Sequence, residues 1–187
     1  MISSSARRGM SFRPLNNPSD LFFAIGDAIH AAGLGVDVAN YDEFDGTVRD
    51  ATVLIELERT APATKKNDGR YVHEYTVTLH AVVARWRKFS ALEATNLSAA
   101  LERLADDNRW GFHGSQCQYP CDIHSGPSIF HQGRDGYDAW GCTFRQAIAP
   151  GPHKLPEDPV VTGMPLVAES WRVDDMDDPT QYRPLEG

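Results

Sequence analysis

An α+β fold, with one antiparallel (mixed) sheet of about four strands and both helices packed on one face, is predicted by three stretches of this sequence. The first, Arg70 to Trp86, alternates apolar and polar residues further than any other segment. Tyr71, His73, Tyr75, Val77, Leu79, Ala81 and Val83 fall on one side, and Glu74, Thr76, Thr78 and His80 on the other. That period of two, rich in Tyr, Val and Thr, is the pattern of a half-buried antiparallel strand. The second stretch, FSALEATNLSAALERLADDNRW, changes to a helical period, and the third, YDAWGCTFRQAI, returns to alternation.

In chain order, residues 1–17 carry Ser3, Ser4, Ser5, Arg7, Arg8 and Pro14 without periodicity and read as an N-terminal arm. No apolar segment follows the two arginines, so a secretory leader is not expected there. A helix is predicted from about Pro18 to Ala32. Asn17 or Ser19 suits its cap, Pro18 its first position, and Gly33 its end. Leu21, Phe22, Ile25, Ile29 and Ala32 form one apolar stripe. The glycines after it, Gly33, Gly35 and Gly46, lack the spacing of a phosphate-binding loop. The acidic set Asp37, Asp42, Glu43, Asp45 and Asp50 lacks the ligand spacing of a calcium loop and reads as a solvated edge.

A strand follows from Ala51 to Arg59, with Val53, Ile55 and Leu57 on one face. The connection APATKKNDGR then predicts a long hairpin tip projecting from the sheet, ending in an Asp-Gly turn signal. Lys65, Lys66 and Arg70, with Asp68 and Tyr71 beside them, make it a charged finger suited to a partner. In the second helix Ser90 and Glu93 are spaced as a capping box. Ala94, Leu97, Leu101 and Leu104 align toward a core, and Glu93, Ser98, Glu102 and Arg103 toward water.

Residues 109–136 hold most of the chemistry-bearing side chains. His113, Cys117, Cys121 and His124 are of the types that bind zinc, followed by His131, but the spacing departs from the common zinc signatures. A thiol nucleophile would need a neighbouring His, with Asp122 or Asp135 to orient it. These four residues are therefore weak candidates for a metal or thiol site, and neither metal nor cofactor is expected. Three cysteines, an odd number, predict reduced thiols rather than a disulfide framework. In the last strand Trp140, Cys142, Phe144 and Ile148 share a face, so Cys142 reads as a small core residue.

From Ala149 the composition changes. Seven of the twelve prolines lie beyond it, and residues 150–187 carry eight acidic against three basic side chains. Such a segment builds no core of its own. It keeps apolar anchors such as Leu166, Trp171 and Tyr182, which suits an extended arm that docks on another subunit. The whole chain has a formal net charge of −8 at pH 7, which argues against sequence-independent nucleic-acid binding. No apolar run approaches the length of a membrane span.

The order of DLFFAIGDAIHAAG, TVLIELER, YTVTLHAVVAR, SALEATNLSAALERL and YDAWGCTFRQAI over residues 18–148 resembles that of the tail terminator, or tail completion, proteins of long-tailed bacteriophages. The resemblance implies a structural virion protein of the neck, not an enzyme. It would assemble in the host cytoplasm into a hexameric ring that caps the tail tube, stops its polymerisation and joins the tail to the head. The implied partners are other copies of the chain, the tail tube protein and the head–tail connector or stopper protein. Genomic DNA would only pass through the lumen, and no membrane is involved. Another neck component, such as a head completion or stopper protein, and a zinc- or thiol-dependent enzyme remain as alternatives.

Overall fold

Three strands of twelve residues each, β2 (Ala51–Pro62), β3 (His73–Ala84) and β5 (Tyr137–Ile148), form the middle of the sheet in the computed structural model. The structure describes residues 12–128 and 136–154, together with the backbone of two short strands beyond them. β3 lies at the centre, antiparallel to β2 on one side and to β5 on the other. It is shorter than the alternating pattern predicts: the ladder begins at His73, not Arg70, and ends at Ala84. Two shorter strands complete the sheet at its edges. β1 (Asp37–Asn40) runs parallel to β2, and β4 (Cys121–Pro127) runs antiparallel to β5.

The resulting order β1-β2-β3-β5-β4 is a mixed five-stranded sheet, one strand more than the expected four. Helices α1 (Pro18–Ala31) and α2 (Ser90–Ala105) pack on one face. Leu21, Ala24, Ile25 and Ile29 of α1 and Leu101 and Ala105 of α2 meet Val53, Ile55, Val77, Leu79, Ala81, Cys142 and Phe144 of the sheet. Full burial of a large apolar side chain contributes about 1.5–3 kcal/mol, so this face dominates the stability of the domain. On the opposite face, Leu54, Val82 and Tyr137 are covered by Tyr41, Phe44 and Val48. Those residues belong to the connection between β1 and β2, which opens with a 3-10 turn at Tyr41–Glu43.

The helix starts follow different rules. At α1, Pro18 enters the first turn and the Asp20 carboxylate accepts from the backbone N–H groups of Asn16 and Asn17, at 2.8 and 2.9 Å. Those bonds hold the Asp20 carboxyl below its ordinary pKa. At α2 the expected Ser90–Glu93 capping box does not form. Phe89 takes the cap position with φ 64° and ψ 34°. Ser90 Oγ instead donates to Asp138 at 2.5 Å, and Glu93 pairs with Arg87 at 2.6 Å. Ser98, expected to face water, is buried against β4 and donates to Ser125 Oγ at 3.0 Å.

The packed body extends past both ends of the periodic region. Leu15 is fully buried, and Arg13 bridges to Phe112. Ala149 is buried, and Lys154 N–H donates to the Asp68 carbonyl at 3.0 Å. The chain divides after Leu155, and residues 156–187 make a second unit. Within it β6 (Ala168–Glu169) pairs antiparallel with β7 (Arg183–Pro184), so the C-terminal segment folds back on itself at these positions.

Candidate functional site

The described residues of the cysteine–histidine segment do not converge on one point. Cys117 bridges to Ile148, Cys121 lies opposite Arg145, and His124 opposite Thr143. The three are thus strung along β5, the outer two about 17 Å apart at the rise of a strand. A bulge separates Cys121 from His124, with Asp122 at φ 54° and its carboxylate paired with Arg145. His113 is joined to Cys117 through the backbone, its carbonyl accepting from the Cys117 N–H at 3.0 Å, but its imidazole is engaged elsewhere, with Nδ1 2.8 Å from Ser115 Oγ and the ring edge-on to Phe12. Among the described residues no group of three His, Cys, Asp or Glu side chains converges as a metal site. Burial pushes the Cys117 and Cys142 thiols up to about 12, and the exposed Cys121 thiol is also raised, chiefly by desolvation. All three are therefore neutral thiols near neutral pH, the reverse of an activated nucleophile. His131 and Asp135 lie outside the described residues.

The charged hairpin tip is divided by the fold. Lys65 and Tyr71 are exposed and Lys66 is half-buried. Arg70 is not available to a partner: it is 1% exposed and belongs to the interior. Its Nε and Nη2 donate to the Asp68 carboxylate at 2.8 and 2.5 Å. Further donations reach the carbonyls of Ser115 at 3.0 Å and Ala149 at 3.3 Å. One guanidinium thus joins the β2–β3 connection to the segments before β4 and after β5. The Arg70 hydrogen bonds hold the Asp68 carboxyl down to about 2. Tip and body are one structure here, and the expected basic finger is reduced to Lys65, Lys66 and Tyr71.

A second charged and aromatic segment, unremarked in the sequence pattern, lies at the other end of β3. The turn Arg85-Trp86-Arg87-Lys88-Phe89 leads into α2, and Trp86, Phe89 and Leu92 stand 71%, 64% and 63% exposed. Trp86 Nε1 donates to the Arg49 carbonyl at 2.9 Å, which fixes the indole over the start of β2. The signal that could have found this surface is the interleaving of basic and aromatic residues just where alternation stops. In the alternating pattern Trp86 closes the long strand instead.

A groove of about 780 Å3 runs between α1 and the edge strand β1. Phe22, Phe23 and Leu57 supply apolar walls, and Asp27, Asp42 and Glu43 acidic ones. Phe23 is 57% exposed although it lies within a helix. The groove thus combines an open strand edge with uncovered aromatic surface.

On the sheet face opposite the helices, His80 Nε2 lies 2.8 Å from Glu56 and Nδ1 2.9 Å from Ser128 Oγ. Gly141 makes the room, since a Cβ there would come within 2.6 Å of Ser128 Oγ. The ring nitrogens are used in the opposite sense to a serine-hydrolase triad, in which the hydroxyl meets Nε2. Tyr41 also stacks on the imidazole with centroids 5.0 Å apart. Thr78 extends the row, hydrogen-bonded to Glu58 and, at 2.7 Å, to Thr143. The arrangement is a polar ladder that ties β2, β3, β5 and Ser128 together.

Leu166, Trp171 and Tyr182 lie outside the described residues. Among the described residues no helix is long and apolar enough to cross a membrane. No family model matches the chain, and no curated protein matches it.

Proposed function

We propose that the chain is a structural virion protein of the tail terminator kind, forming a ring, hexameric by the resemblance, that caps a phage tail tube and joins it to the head-side connector. The observation that supports this reading best is the distribution of exposed apolar surface. Phe23 at the β1 edge, Tyr71 beside the hairpin and the Trp86 group before α2 are uncovered in separate places. A closed ring of identical subunits needs two different contact faces on each, and binding to a tube and a connector needs more. The finer features expected from the sequence, a hairpin that projects and a C-terminal arm that docks on a neighbour, belong to this reading. In it Lys65, Lys66 and Tyr71, with the apolar anchors of the arm, contact other subunits. A negatively charged chain also suits a lumen through which DNA passes without adhering.

The test is reconstitution with tail tube protein. Tubes polymerised with the purified full chain are expected to stop growing and to carry a ring at one end in electron micrographs. Unlimited growth and bare ends at saturating protein would overturn the proposal. A ring found only on head-side connectors would favour the stopper alternative.

A further inference from the structure

The Trp86 surface and the α1–β1 groove differ in shape and are opposite in charge, and one chain carries both. Around Trp86, Arg85 pairs with Asp138 at 3.2 Å, and Arg87 with Asp50 at 2.5 Å and Glu93 at 2.6 Å. Two cations remain without an ion pair among the described residues. Lys88 holds its ammonium 5.0 Å from the centre of the Phe89 ring, and Arg49 is exposed beside Trp86. In the groove, Asp27 pairs with Arg13 at 2.6 Å, while Asp42 and Glu43 are exposed and without an ion pair among the described residues. Among the described residues, one surface therefore offers projecting aromatic side chains with two unpaired cations, and the other an aromatic-walled recess with two unpaired carboxylates.

We infer that the Trp86 surface of one copy docks into the α1–β1 groove of the next copy. The inference rests on the ring-forming reading and assigns its subunit contact. Joining two unlike patches of one chain is a heterologous contact, which repeats head to tail and closes when the rotation between copies allows. The aromatic side chains of the Trp86 surface supply affinity as buried anchors. Lys88 and Arg49 against Asp42 and Glu43 set orientation and disfavour like-to-like pairing. The left-handed backbone at Phe89 fits this role, because it turns the ring outward at the start of α2 instead of returning it to the core. Nucleic acid is the weaker match for the same surface, since Arg85 and Arg87, the two chain neighbours of Trp86, are already engaged by carboxylates and only Arg49 and Lys88 are left for phosphates.

Sedimentation and light scattering of the full chain test this. Lys88→Glu and Glu43→Lys each place like charges across the contact, and Trp86→Ser removes an anchor. Each is expected to weaken association by about 30-fold while the thermal unfolding midpoint stays near that of the wild type. The double variant Lys88→Glu/Glu43→Lys is expected to recover assembly, because the charges at positions 88 and 43 are then exchanged and again opposite across the contact. Wild-type rings with single variants that assemble equally well would overturn the assigned contact and leave the ring reading standing. A wild-type chain that stays monomeric even on tail tubes would remove the ring reading itself. Intact rings in Trp86→Ser with lost binding to single-stranded DNA would assign the surface to nucleic acid, again against the inference.

Discussion

The two ends of β3 begin from similar residues and reach opposite outcomes. Before it lie Lys65, Lys66, Arg70 and Tyr71; after it lie Arg85, Trp86, Arg87, Lys88 and Phe89. At the first end the Ser115 and Ala149 carbonyls and the Asp68 carboxylate converge around one guanidinium, which draws Arg70 inside. At the second end the available acceptors are surface carboxylates just before β2 and on α2 and β5, so the arginines spread sideways and the aromatic rings stay in solvent. A basic–aromatic segment therefore becomes a clamp or a contact surface according to whether buried carbonyls wait for it.

The clamp should be the more sensitive end by a wide margin. Arg70→Ala leaves its partner carbonyls without their donor, and removal of one member of a buried pair typically costs about 3–5 kcal/mol. A loss near the lower limit, about 3 kcal/mol, is expected because Asp68 keeps partial contact with water. Urea unfolding monitored by tryptophan fluorescence measures it. Arg70→Lys should restore little, since a single ammonium cannot reproduce the fork that reaches three segments at once. A loss below about 1 kcal/mol, the size of an ordinary hydrogen bond, would mean that the interior bonds of Arg70 do not hold the loop.

Between the two ends, the polar ladder offers an intermediate effect. Gly141→Ala would place its Cβ 2.6 Å from Ser128 Oγ and 3.2 Å from Thr78 Cγ2. The strand must shift or the serine must leave His80, at a cost of about 1–3 kcal/mol. Adding Ser128→Gly should return part of that loss, which a double-mutant cycle of unfolding free energies detects.

These differences also explain what could be read from the residues alone. Both helices and the three long strands announce themselves, because a two-layer core imposes a strict period on Val53, Ile55, Val77, Leu79 and Phe144. The edge strands do not. β1 has four residues, none fully buried, and β4 lies in a Gly- and Pro-containing segment whose pairing is broken by the bulge at Asp122. Each exists because a long neighbour offers a free ladder, which is a tertiary cause. The same holds for Arg70 and Ser98: each is polar by type and buried because partners distant in sequence satisfy it. Cys117, Cys121 and His124 stand apart for a related reason, since an extended ladder separates side chains that short sequence spacing suggests are close.

Acid sharpens the contrast at lower energy. Asp68 titrates at about 2 in the folded protein against an ordinary value of 3.8, because Arg70 favours its charged form. A lowered folded pKa stabilises above the unfolded value and loses that contribution as pH falls through the folded one. The stability advantage of the wild type over Asp68→Asn is therefore expected to be full above about pH 5 and to vanish progressively as pH falls from about 4 to about 2. An advantage independent of pH across that window would place the role of Asp68 in packing, not charge.

The smallest effect on stability is expected at the open end of β3, and it has the opposite sign. Phe89 holds a left-handed backbone that costs a non-glycine residue about 1–2 kcal/mol. Glycine adopts it freely and also suits a helix cap, although its unfolded chain loses more entropy on folding. Phe89→Gly should therefore leave stability unchanged or raise it by about 1 kcal/mol or less, measured by the same urea titration. Association of the full chain should weaken nonetheless, because the ring that flanks Trp86 is gone. Stability gained while assembly is lost would mean that the chain keeps a strained aromatic at this position for a contact outside its own fold. Destabilisation by Phe89→Gly would instead tie the ring to the domain itself and make both ends of β3 structural.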